Sequence, residues 1–149
     1  MIRAARPDDS AFVVALVSRF VEHGVAGGHT REEVVDGTAR VLREALTKTD
    51  PAELFLIAED ADGERAGFVY AVTHRDFFTG ECYAHVSEIA AVRSGSGTGR
   101  TLMAAVEEWA RERGYRMVTL NVIEENVAAR RFYEQLAYGP HHRQLIKRF

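Results

Sequence analysis

The chain has 149 residues, enough for one domain with a buried core, and its 46% apolar and 28% charged content is that of an ordinary globular protein. A formal charge of -3 argues against a nucleic-acid binder, which usually carries a basic face, and no apolar run reaches the length of a membrane helix. The opening MIRAARPDDS lacks the apolar stretch of a secretory signal, and the lone Cys82 excludes an internal disulfide, so a cytoplasmic chain is expected.

In chain order, Ile2–Ala4 is a short strand that ends before Pro7. Asp8, Asp9 or Ser10 then caps a helix whose Phe12, Val13, Leu16, Val17 and Phe20 share a face. HGVAGGH breaks it. Thr30 and Glu33 form a capping box for a second helix, which TKTDP closes. ELFLIAE and AGFVYAVTH read as strands joined by a hairpin at Asp62-Gly63. After DFFTGE comes a strand from about Cys82 to Ala91, then a glycine loop, then a helix from about Gly99 to Arg113 that Gly114 stops. YRMVTLNVI is a strand, ENVAARRFYEQL a helix and RQLIKRF a last strand. The order β-α-α-β-β-β-α-β-α-β describes a mixed sheet with helices against its faces, an α/β (α+β) arrangement in a single domain spanning 1–149.

The stretch VRSGSGTGRTLM carries glycine at alternate positions, Gly95, Gly97 and Gly99. Glycine at that density marks backbone that must stay bare. A Walker loop needs a second glycine where Arg100 stands and a lysine after it; a dinucleotide fingerprint also wants glycine at 100 and a downstream acid. Neither pattern is met. What remains is a nest of N–H donors at a helix start with Arg100 beside it, suited to phosphate. A tight turn that packs strand against helix would use the same glycines.

Further on, NVIEENVAARRFYEQLAYGP sets Asn126, Ala129, Phe132 and Tyr133 at helical spacing, with Asn126 placed to cap the first turn. An amphipathic helix that buries Phe132 and Leu136, with Tyr133 at its rim, has the same pattern.

SGSGTGRTLM followed by NVAARRFYEQLAY resembles the GNAT superfamily of acyl-CoA-dependent N-acetyltransferases, over about Ser87 to Tyr138. The resemblance implies a mostly antiparallel sheet splayed between its fourth and fifth strands, with helices on both faces. It implies acetyl-CoA as cosubstrate, without metal. Ser94, Gly95, Ser96, Gly97, Thr98, Gly99 and Arg100 would hold the pyrophosphate. Ile89, Ala90, Ala91 and Val92 would flank the pantetheine arm where that strand parts from strand 116–123, and Asn126, Ala129 and Phe132 would line its other side. Tyr133 would direct its hydroxyl at the thioester sulfur. The chain departs from the family at Ser94, where Gln or Arg is usual, and in a shorter approach to the loop.

Acyl transfer to an amine needs a neutral amine, a base, an oxyanion donor and an acid for the leaving thiolate. Tyr133 takes the last role by motif position. Glu88, an acid in the apolar run HVSEIAAV, is the sharpest base candidate, against the alternative of a solvated strand-edge acid. His85 is the runner-up. Three residues from Glu88, it faces the opposite side of a regular strand unless a bulge intervenes. Asn121 is a third wall candidate. Cys82 and His85 fall on opposite faces, which leaves Cys82 to the core, and His141-His142 lacks an acidic partner at metal-ligand spacing. DFFTG is a wall of the acceptor pocket or a dimer contact. The expected activity is direct transfer of acetyl from acetyl-CoA to a primary amine of a small molecule or peptide. The alternatives are a catalytically silent acyl-CoA sensor and a nucleotide-binding domain of another fold. The resemblance leaves homodimerisation open, and neither nucleic acid nor membrane is an expected partner.

Overall fold

The computed structural model describes residues 1–25 and 27–149. Its elements are β1 (Ile2–Ala4), α1 (Ser10–Leu16), α2 (Arg31–Leu46), β2 (Glu53–Glu59), β3 (Arg65–Arg75), β4 (Cys82–Ala91), α3 (Thr98–Glu112), β5 (Val118–Leu120) and α4 (Val127–Gln135), with 3-10 turns at Pro7–Asp9 and Val17–Val21 on either side of α1. The strands form one sheet in the order β1-β2-β3-β4-β5. The first three pairings are antiparallel and β4–β5 is parallel.

The central strands are near-continuous apolar runs, LFLIA and GFVYAV, so both of their faces need cover and helices supply it. On one side Val13, Val17, Ala39 and Leu42 of the α1–α2 layer pack on Ile57, Phe68, Tyr70 and Ala90. On the other, Leu102, Met103, Val106 and Trp109 of α3 pack on Ala58, Val69, Ala71, Ala84 and Val86, with Phe132, Tyr133 and Leu136 of α4 at the margin. Thr30 caps α2 as expected, its hydroxyl accepting from Glu33 N–H at 3.1 Å while Glu33 reaches back to Thr30 N–H at 2.7 Å.

Three expectations need correction. Asp9, one of the three cap candidates, stands at the N-cap of α1, but its side chain makes no cap hydrogen bond there. Its carboxylate is 1% exposed and accepts from Arg3, from Arg65 Nε at 2.6 Å and from the Arg6 N–H at 2.8 Å. Cys82, expected in the core, is half-buried and lines a surface cleft with Asp76, Tyr83 and Arg116. The strand expected at 143–149 does not form. Leu145 and Ile146 are adjacent there, so an edge strand would turn them to opposite faces, and the neighbouring β5 is only three residues long. The HGVAGGH connection is seen except at Ala26, which lies outside the described residues.

β4 and β5 pair only at Ala84↔Val118, His85↔Thr119 and Val86↔Leu120. Immediately beyond, the β3–β4 register slips: Ala71 opposes Val86 but Tyr70 opposes Glu88. Ser87 is therefore the extra residue of a β-bulge. A bulge bends the strand and increases its twist, and it sits where β4 leaves β5. The splay begins at Ser87.

Candidate active site

From Ser87 to Ala91, β4 has β3 on one side and the open wedge on the other. Val92 N–H donates to the Ala66 carbonyl at 2.8 Å. In an antiparallel ladder, successive residues alternate between facing the partner and facing away, so Ala91 and Ile89 direct their N–H and C=O groups into the wedge. Ala90 is buried toward α1 and α2, while Ile89 packs on the α3 side.

The chain then turns through Arg93–Gly97. Gly95 (φ 75°) and Gly97 (φ 84°) are left-handed, conformations that cost other residues. Ser96 Oγ lies 2.9 Å from both the Arg93 carbonyl and Thr98 Oγ1, which holds the loop's shape. Gly97 occupies the N-cap of α3 without a side chain to satisfy the first turn, so N–H groups at the start of this 15-residue helix face outward. Ser94 and Arg100 are exposed beside them.

The two motif segments meet in space. A Cβ on Gly99 would lie 3.2 Å from Phe132 Cζ, so the ring of α4 rests on the bare start of α3. Gly67 is bare for a related reason: a Cβ there would lie 2.6 Å from the Ala90 carbonyl and 2.9 Å from Thr98 Cγ2. Asn126 caps α4, its Oδ1 accepting from the Ala129 N–H at 3.1 Å.

The bulge at Ser87 settles the question of His85 and Glu88. Glu88 opposes Tyr70 and His85 opposes Val72, both of which face the α1–α2 layer, so the two candidates share a face. Glu88 lines a groove of about 320 Å³ with His29, Glu33, Val34, Gly37, Thr38, Arg40, Val41 and Ser87. Burial pushes its carboxyl up to about 7. Tyr133 is pushed up to about 12, first by burial and then by the Glu88 charge. Burial, and then the neighbouring His74, lower the pKa of His85. Its ring stacks on His74 at 4.8 Å and its Nδ1 lies 2.8 Å from Thr119 Oγ1.

Asn121 is exposed just past β5. His141 and His142 are exposed, and among the described residues no three His, Cys, Asp or Glu side chains group as a metal site. Phe77 and Phe78 project from a turn whose N–H groups are held by Asp76 Oδ1. No described helix is long and apolar enough to cross a membrane.

Sequence reasoning missed Gly37, His74 and Arg19. Gly37 had a signal, a glycine in the interior of α2, where it costs about 1 kcal/mol relative to alanine. A Cβ there would meet no atom within 4 Å, so packing does not demand it. His74 and Arg19 meet their partners only through the fold.

A mixed sheet opens between two parallel strands, and a glycine-capped helix stands at the mouth of the opening. A family model described as the acetyltransferase (GNAT) family matches residues 23–138, and the chain belongs to that family. A mycothiol acetyltransferase of Nocardia farcinica is 31% identical over 140 residues, which are 93% of this chain and 44% of that protein. The chain thus spans less than half the length of this relative. Among solved structures, a putative acetyl transferase from Pyrococcus furiosus superposes with a TM-score of 0.77 at 22% identity, covering 100% of this chain and 99% of that one. AAC(6')-Iy in complex with a CoA-containing bisubstrate analog gives 0.71 at 20% identity, covering 100% and 97%. At those identities the likeness is one of fold.

Proposed function

We propose that residues 1–149 form an N-acetyltransferase domain that moves the acetyl group of acetyl-CoA directly onto a primary amine in a ternary complex. The observation that carries this reading is the position of Glu88. It stands on the bulged strand at the wedge, facing the α2 groove, and its charge is one cause of the raised Tyr133 pKa.

In this reading the loop 94–99 and the start of α3 bind the pyrophosphate through backbone N–H groups. The free edge of β4 at Ile89 and Ala91 pairs with the pantetheine amides, and an N–H of that edge faces the thioester oxygen as charge develops there. The amine arrives along the α2 groove. Its nitrogen attacks the thioester carbon; the C–N bond forms, and the C–S bond breaks to release the thiolate. A free alkylammonium titrates near 10.4, so few molecules are neutral at pH 7. Attack makes the nitrogen far more acidic, and a carboxylate titrating near 7 then suffices as base.

Tyr133 stays a phenol at neutral pH and donates its hydrogen bond to the departing sulfur. The Glu88 charge is one cause of its raised pKa, so a proton taken up at Glu88 eases proton donation by Tyr133. Tyr133→Phe is expected to lower kcat by about 10-fold or more, the value of a hydrogen bond to a charged group, while the Kd for coenzyme A changes little. Equal kcat in stopped assays of the two proteins removes Tyr133 from the mechanism.

Gly37 keeps the groove open for the acceptor. Gly37→Ala is expected to raise Tm, through about 1 kcal/mol of helix propensity, and to raise the acceptor KM. A gain in stability with unchanged KM assigns the glycine no part in binding.

The experiment that tests the function is thiol release from acetyl-CoA across a panel of amines: polyamines, aminoglycosides, amino acids, peptide N-termini and unacetylated mycothiol. Release that depends on one amine class, with the acetylated amine found by mass spectrometry, supports the reading. Tight coenzyme A binding with no transfer to any member contradicts it in favour of a silent sensor.

A further inference from the structure

Arg19 stands in the 3-10 turn that follows α1, on the acceptor side of the sheet. Its Nη1 donates to the carbonyl of Ala91 and lies 3.0 Å from the carbonyl of Val92. Its Nε is 3.7 Å from a half-exposed Glu22 carboxylate, a weak partner. The cation therefore lies across the last residues of β4, where the strand hands over to the glycine loop.

This position conflicts with cosubstrate binding on the reading proposed above. Ala91 directs its carbonyl into the wedge, where an extended arm paired with β4 needs it as an acceptor. The Arg19 guanidinium already holds that carbonyl. The loop that starts two residues later offers backbone donors, the uncharged Ser94 and the exposed Arg93 and Arg100 to a doubly anionic pyrophosphate. A guanidinium gains more from a phosphate than from a neutral carbonyl, because charge-assisted pairs are roughly twice as strong and phosphate accepts the planar fork in bidentate fashion.

We propose that Arg19 is a cosubstrate-responsive clasp. In the free protein it caps the open edge of β4 at Ala91 and Val92. When coenzyme A binds, Arg19 leaves the Ala91 carbonyl to the pantetheine amide and pairs with the pyrophosphate, supplying the charge that Ser94 lacks. One residue thus couples filling of the phosphate loop to opening of the pantetheine track.

The proposal rests on coenzyme A as the ligand, and titration calorimetry of the wild type, R19M and R19K with coenzyme A and with acetylpantetheine, which lacks the phosphates, separates the two claims. R19M keeps an unbranched apolar stem without the guanidinium or its charge. It is expected to bind coenzyme A about tenfold more weakly or worse, the loss of one charge-assisted hydrogen bond, and to bind acetylpantetheine at least as well as the wild type, because the Ala91 carbonyl is then free. R19K is expected to recover part of the coenzyme A affinity. Equal weakening toward both ligands makes Arg19 a fixed brace and overturns the proposal, as does unchanged binding of coenzyme A or an R19K as weak as R19M. A wild type that binds neither ligand overturns the acetyltransferase reading itself.

Discussion

Glu88→Gln is expected to lower kcat with the best acceptor by about 10²- to 10⁴-fold, the range for loss of a positioned general base. The wild-type kcat/KM should rise with pH through an apparent pKa near 7, where burial has placed the carboxyl, and this limb should be missing in the variant. Stability should move the other way. The folded protein favours the protonated acid, so as pH climbs from the ordinary glutamate value near 4.3 toward 7 the unfolded chain loses its proton first. Wild-type stability therefore falls across that window. Glu88→Gln removes the cost, and its Tm should exceed the wild type's at pH 8 and match it at pH 4. A structural acid lost from a salt bridge would give the reverse. A variant that is slower but not stabler at pH 8, or one with an unaltered pH–rate profile, removes Glu88 as the base.

Asp9→Ala is expected to cost about 3–5 kcal/mol of folding stability, the penalty for deleting one partner of a buried ionic network. That corresponds to a Tm lowered by roughly 10 °C for a domain of this size. The carboxylate is fully enclosed, and it ties Arg3 on β1 to Arg65 at the start of β3 while also holding the Arg6 N–H before α1. Arg3 also bonds Glu59 at 2.5 Å, so one network joins β1, β2, β3 and the turn into α1. The Arg3 guanidinium holds the Asp9 carboxyl well below the usual carboxylate range. A depressed folded pKa gives stability that is complete above the unfolded value near 3.9 and is lost as pH falls below it. The gap between wild type and Asp9→Ala in urea titrations should hold constant from pH 5 to 8 and narrow below about pH 4. A loss under about 1 kcal/mol, the size of a surface pair, would mean that the network is replaceable.

What the sequence discloses is what lies close along the chain. The Thr30–Glu33 box, the Asp62-Gly63 hairpin, the Gly114 stop and the Asn126 cap are written within a few residues of each other, and each forms. The glycine loop and the Asn-x-x-Ala-x-x-Phe-Tyr helix are equally plain, although their meeting at Gly99 and Phe132 is not. Asp9 is one of three cap candidates along the chain, and its place in an ionic network is hidden because β1 and β3 bring Arg3 and the distant Arg65 to it only in the fold, while helix-capping statistics act locally. The bulge at Ser87 is invisible without the β3 partner that defines its register. That one residue decides whether His85 and Glu88 oppose each other or share the face covered by α1 and α2. RQLIKRF has the composition of a strand, but its adjacent Leu145 and Ile146 give a pairing edge no single face to bury, and both remain exposed.

The central claim is that the wedge between β4 and β5 is built for a coenzyme A thioester. Titration calorimetry of the wild-type chain with acetyl-CoA, ATP and NAD tests it most directly. The account predicts one-to-one binding of acetyl-CoA, with heats from ATP and NAD absent or far weaker. Saturable binding of ATP or NAD, with none of acetyl-CoA, would contradict it.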